Sequence, residues 1–511
     1  MFNGMNEGSQ YCLIRLLIQR GLGFLYFFAF LIVYFQWVPL LGEHGILPVP
    51  VFLKFSRFLD SPSLFFFFYS DGLAKGLAVC GLILSSAVLC GISEKYGRII
   101  SGFVWLALWM LYLSFVNVGQ LFYGYGWEIL LLEAGFLAIF FGSNQEKPTV
   151  FILLLFRWLL FRVMFGAGLI KIRGDECWRS LACMQYHYET QPLPNPLSWF
   201  FHHTPVWFHQ FEVLLTHAIE LIFPFFYFAS RRLRILAGVS AIGFQILLIF
   251  SGNLSWLNYI TGVIALSCLD DELIRRVFKG TEKKICEVIQ NFKESRIHFR
   301  SNQFLFLLVL LLSVAPLMNL ISSHQLMNAS FDRLHLVNTY GAFGSVSKER
   351  YEVVLLGTLE SEVNSGTVWA EYQFKGKPGS VDRIPPIVSP YHWKLDWQMW
   401  FAAFSTIQEE PWMLNLVLHL LRADPETLSL LGKDPFRGVS PKWIKADLYR
   451  YEFTTPEEKK QTGHFWKRRR VKEYFPPLSL DTPELIAYGV RQGWLYEKGE
   501  VKSGEKSKGK E

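Results

Sequence analysis

Four ionisable side chains fall inside two adjacent apolar runs: Glu128 and Glu133 in the first, Arg157 and Arg162 in the second. A charge at membrane depth is costly, so each needs a partner or a function. Folding the two runs as antiparallel helices about Asn144 and Gln145 sets Glu133 level with Arg157, and Glu128 level with Arg162. Five residues turn a helix by about 500°, so the two pairs cannot share one face. At least one carboxylate–guanidinium pair between these helices is expected. The preferred reading is structural, a buried pair that fixes register; the other is a polar substrate site.

Farther along, His209 and Glu212, then His217 and Glu220, stand three residues apart, each pair on one helix face. Such spacing suits a proton relay or metal ligation, and His202 and His203 lie just upstream. No second ligand set of recognisable spacing accompanies them, so hydrated or hydrogen-bonded side chains are preferred, and no metal or cofactor is expected. With Lys171, these four residues form a candidate polar site.

The elements that must hold these residues are helices in lipid. Hydrophobic residues make up 51% of the 511, charged residues 18%, and mean hydropathy is +0.24. A helix needs about 20 apolar residues to span the hydrocarbon. Gly21–Leu41, Ile99–Phe122 and Ser301–Ser323 qualify cleanly, and 73–92, 127–143, 149–170, 211–230, 235–251 and 253–269 follow. The expected fold is thus a polytopic α-helical membrane bundle of about nine spans over residues 1–323.

The net charge of +7 does not point to nucleic acid, because the cations sit in short loops between spans. With the N-terminus inside, inner loops carry sixteen Lys and Arg against six outside. That bias sends the chain from residue 324 onward to the outer side, periplasm or endoplasmic reticulum lumen. Cys177 and Cys183 share one outer loop, six positions apart, and a disulfide between them is expected there.

Residues 324–495 read as a soluble, β-containing α+β domain. Tyr351–Leu359, Thr367–Phe374 and Trp443–Phe453 have strand character, while Leu395–Ile407, Met413–Arg422 and a segment opening at Thr482 have helical spacing. Residues 496–511 are too polar to fold and are expected to be a disordered tail.

Several ordered blocks resemble the lipase maturation factor family. They are Lys171–Pro196 (KIRGDECWRSLACMQYHYETQPLPNP), Asn338–Val346 (NTYGAFGSV) and Ser389–Phe404 (SPYHWKLDWQMWFAAF), with further similarity over Leu448–Phe453 and Phe465–Pro477. Within them Asn338, Tyr340, Gly341, Phe343 and Gly344, and Tyr391, His392, Asp396 and Trp397, fall on the family's C-terminal segments. Cys177 and Cys183 fall in its first lumenal block.

The resemblance implies a non-enzymatic membrane factor that helps secreted clients, lipases in the animal members, to fold and assemble. It implies the endoplasmic reticulum membrane in a eukaryotic host or the inner membrane in a bacterial one. The short segment before the first span favours the bacterial setting. Partners would be membrane lipid and secreted proteins. Trp393, Trp397, Trp400 and Trp412 are the aromatic surface such clients would meet, unless they pack into the core. The competing function is an intramembrane enzyme acting on a lipid through Glu128, Arg162, Lys171, His217 and Glu220.

Overall fold

The computed structural model of the chain describes residues 11–143, 146–277 and 296–495. Its membrane half begins with α1 (Cys12–Leu41), α2 (Asp71–Leu89), α3 (Arg98–Val118), α4 (Gly126–Ala138) and α5 (Val150–Arg173). There follow α6 (Val206–His217, prolonged by tighter and looser turns to Phe228), α7 (Arg231–Ser251), α8 (Leu257–Ala265), α9 (Arg296–Leu312) and α10 (Val314–Ile321). The apolar runs form helices because only intra-segment hydrogen bonds satisfy the backbone in hydrocarbon. Polar side chains mark their starts: Ser70 accepts from Leu73 N at 3.1 Å, and Thr149 from Ile152 N at 3.4 Å.

Among the described residues, seven helices are long and apolar enough to cross a membrane: α1, α2, α3, α5, the α6 run to Phe228, α7, and the α9–α10 run. The expected spans at 127–143 and 253–269 are shorter helices. Helix α4 has 13 residues, about 20 Å of a hydrocarbon core of about 30 Å. Past α8, the Asp271 carboxylate accepts from the N–H groups of Cys12, Leu13 and Ile14 at 2.8, 3.0 and 3.1 Å, capping α1. Past α4, Glu146 meets Arg98 at 3.4 Å and its carbonyl accepts from Arg15. Longer neighbours enclose α4 so completely that only Phe136 among its residues is not buried. Irregular backbone is tolerated at membrane depth when protein covers it.

The C-terminal half holds a small ribbon, β1 (Ala329–Ser330) with β2 (Asn338–Thr339), and an antiparallel sheet. The sheet comprises β3 (Arg350–Thr358), β4 (Ala370–Glu371), β5 (Trp443–Phe453) and β6 (Trp466–Leu478), in the order β4-β3-β5-β6. Helices α11 (Lys394–Ala402), α12 (Trp412–Leu421) and α13 (Pro483–Arg491) pack around it. The charged Lys467–Arg470 run lies within β6, whose side chains there point largely to solvent at the sheet edge. The expected strand at Thr367–Phe374 is reduced to Ala370–Glu371. The expected tail at 496–511 and the turn at Asn144 and Gln145 lie outside the described residues.

Candidate functional site

Two buried carboxylates of the membrane half, Glu128 and Glu133, meet the C-terminal half, and the partners of the four buried charges differ from those the level-pair argument gives. Arg162, not Arg157, forms two hydrogen bonds to Glu133. Arg157 instead donates from Nε to Ser267 O at 2.9 Å. Among the described residues Glu128 has no guanidinium partner: Lys394 Nζ, from α11, lies 2.8 Å from its Oε1, and the Tyr112 hydroxyl donates to Oε2. The helices do exchange one carboxylate–guanidinium pair, but offset by about a turn, because the C-terminal half supplies the remaining partners.

Each carboxylate is thereby tied to a family-like segment. Asn338 donates to Glu133 Oε2 from its backbone N and from Nδ2, both at 3.0 Å, and Tyr340 OH donates at 2.8 Å. The backbone that follows lies directly on α5. A Cβ on Gly166 would sit 2.4 Å from Tyr340 O, and one on Gly174 would sit 2.2 Å from Gly344 O. Gly166 in α5 and Gly174 just past its end must both be glycine for the chain to approach so closely. Gly341 N donates to Asn328 Oδ1 at 3.3 Å, and Phe343 O accepts from Trp178 Nε1 at 2.8 Å.

The second segment docks on α1 and α4. Gln36 bridges it, donating to His392 O at 2.7 Å and accepting from Lys394 N at 3.0 Å. The His392 ring is fully buried among Tyr125, Trp127 and Trp397. Burial, reinforced by Lys394, holds it well below the usual histidine range, so it is neutral. Tyr391 packs on Trp393 at 4.6 Å. Asp396 accepts from Lys377 N at 3.0 Å and from Gly376 N, while burial pushes its carboxyl up. Trp397 and Trp412 are buried, 4% and 1% exposed. Neither is client-facing surface, because each packs at the junction: Trp397 on Tyr125 and Trp127, Trp412 on Phe122.

The remaining candidates flank a chamber of about 650 Å³ under the outer loop. Lys171 Nζ bonds both oxygens of Glu220, at 2.6 and 2.7 Å. Glu212 accepts from the Tyr188 hydroxyl and contacts His209 Nδ1 at 3.1 Å. His217 turns away from Glu220, its Nε2 lying 3.0 Å from Trp178 O. Glu220 is thus a lysine partner rather than half of a His–Glu pair. Among the described residues no group of three or more His, Cys, Asp or Glu could hold a metal. Cys177 and Cys183 form a disulfide in the loop that roofs the chamber.

Sequence reasoning passed over two cations. Lys394 lies within a quoted block, and a lysine inside an aromatic helix (HWKLDW) was the available signal. Arg350, in β3, is 1% exposed; it pairs with Glu352 and donates to the carbonyls of Glu189, Gln191 and Pro192 in the outer loop, at 3.0 Å for Glu189 and 2.9 Å for Pro192. Nothing in its strand pattern announces that contact.

Comparison with known proteins follows the same division of the chain. The lipase maturation factor transmembrane domain profile matches residues 13–276, and the lipase maturation factor C-terminal domain profile matches residues 336–476. Lipase maturation factor 1 of Homo sapiens is 44% identical, covering 94% of this chain and 90% of the relative. The Bos taurus protein of that name is 40% identical over 96% and 93%, and lipase maturation factor 2 of Homo sapiens is 31% identical over 95% and 85%. No solved structure matches. The two profiles meet across the Glu128–Lys394 and Glu133–Asn338 contacts, and the chain is an integral membrane protein that belongs to the lipase maturation factor family.

Proposed function

We propose that this protein is a membrane-anchored maturation factor that helps secreted lipases reach their assembled, active form. The carrying observation is similarity along nearly the whole chain to proteins named for that role, across both halves and the contacts that join them. We place the C-terminal half on the side where secreted proteins fold, the endoplasmic reticulum lumen in a eukaryotic host. The loop cations support this: with the N-terminus inside, inner loops carry sixteen Lys and Arg against six outside.

On this reading the protein acts by holding clients rather than by transforming them. The buried acids that an enzyme would need are engaged: Glu128 with Lys394, Glu133 with Arg162, and Glu220 with Lys171. The client-facing candidate is the free edge of β6, where Lys467, Arg469, Val471 and Lys472 are exposed. An edge strand offers unpaired backbone groups to an extended segment, and its cations select against hydrophobic self-association. Surrounding membrane lipid is the second partner.

The test is co-expression with a secreted dimeric lipase in cells lacking their own lipase maturation factors. A rise in secreted active lipase at constant total lipase is expected. A folded, membrane-inserted protein that leaves active lipase unchanged would overturn the proposal.

A further inference from the structure

Two amides in the lining of the chamber beneath the outer loop, those of Gln245 and Asn258, make no strong hydrogen bond to a neighbour among the described residues. The chamber floor is Met164 and Ala167 of α5 with Gln245 of α7 and Asn258 of α8; its roof includes Met184 and Phe343. The volume of about 650 Å³ falls among small-molecule sites, which run from about 300 to 1,000 Å³. Asn258 is 3% exposed, and its amide has no hydrogen-bond partner among the described residues. Gln245 is 5% exposed, and among the described residues its amide makes one weak hydrogen bond, Nε2 to Met164 Sδ at 3.7 Å. Helices α7 and α8 pack together beside the chamber: Gln245 Cβ lies 4.0 Å from the Cβ position of Gly262, one turn beyond Asn258. Both amides line the chamber, where they can donate to an occupant that accepts hydrogen bonds.

Charge narrows the class. Lys171 neutralises Glu220, and His187, held down to about 4 by burial and by Lys171, is neutral. Glu212 then remains, so the lining has no spare cation for a free carboxylate or an anionic head. The entrance narrows it again. Phe211 of α6 and Leu247 of α7 line the chamber yet are 53% and 50% exposed, so it opens between two membrane helices.

We propose that this chamber binds one membrane glycerolipid without net charge, its acyl chain on the apolar floor and its ester carbonyl on the amides of Asn258 and Gln245. The lipid enters sideways from the bilayer between α6 and α7. The roof over it comes from the outer loop and from Ala342–Gly344, so an occupied chamber buttresses the junction of the two halves.

The full chain, reconstituted in phosphatidylcholine vesicles whose lipid bears a diazirine on one acyl chain, provides the test. Photolysis should label Met164, Met184 or Phe343; label confined to outward positions of α7 such as Leu236 and Val239 would overturn the proposal. Ala167→Phe fills the floor and Asn258→Leu removes a donor; each should lower chamber labelling about tenfold while leaving the α7 label as an internal control. Undiminished chamber label in both variants overturns the site. Equal chamber labelling by a diazirine-bearing free fatty acid overturns the assignment of the ester. The wild-type map decides the matter even where a variant fails to fold.

Discussion

Lys394 Nζ sits 2.8 Å from Glu128 Oε1, and neither side chain touches solvent. One residue belongs to the C-terminal half, the other to a membrane helix, and 266 positions separate them. Their contact makes the two halves one folding unit, because each charge left alone would be buried without compensation. Removing one member of a buried pair costs about 3–5 kcal/mol. Lys394→Met and Glu128→Gln should each destabilise on that scale, and the double variant by less than the sum, in unfolding measured in detergent micelles.

Arg162 and Arg157 should behave differently despite their similar burial. Arg162→Met strands the Glu133 carboxylate and should cost about 3–5 kcal/mol. Arg157→Met removes a donor to a backbone carbonyl and should cost about 1–3 kcal/mol. Exchanging Glu133 and Arg162 should restore little, since Asn338 and Tyr340 both donate to position 133 and would then face a cation. Denaturant midpoints of the three variants decide this.

Gly166→Val should lift the Tyr340 segment from α5. The new Cβ would sit 2.4 Å from a backbone oxygen that cannot swing aside. Overpacking of this kind costs about 1–3 kcal/mol or more. Hydrogen exchange at residues 340–344 should accelerate, while exchange in β3 and β5 stays protected.

Glu189 gives a pH signature outside the spans. Burial pushes its carboxyl from about 4.5 to about 7, against the pull of the Phe453 N–H. A carboxyl raised on folding stabilises fully below its unfolded value, and that advantage is lost as pH rises through the folded one. Glu189→Gln should therefore gain melting temperature relative to wild type as pH climbs from about 4.5 to about 7. The neighbouring His202, pushed down to about 4, stays neutral across that window. A flat difference between the two melting curves would refute the assignment.

Cys177 and Cys183 close a loop of six residues in sequence separation, so the bond's chain-entropy contribution is about 2 kcal/mol. Cys177→Ser should lower stability by that amount and loosen the Trp178 contact with Phe343 O. Alkylation without reductant should leave both wild-type thiols unmodified, as read by peptide mass.

The sequence alone determined the membrane bundle, the division into two halves and the pairing of two cysteines. Each rests on local information: twenty apolar residues in a row, a change in hydrophobic period, thiols six positions apart. It also located the ionisable residues of the interior and the segments that carry the family resemblance. The partners were decided only by tertiary structure. A level-pair argument treats α4 and α5 as an isolated hairpin, whereas Glu133 is shared with Asn338 and Tyr340 and Glu128 is claimed by Lys394. The same holds for spans: hydropathy marks 127–143 and 253–269 as spans, whereas the packed chain forms only the short helices α4 and α8 there, enclosed by longer neighbours. Burial and partner choice depend on residues hundreds of positions away, and only the packed chain brings those together.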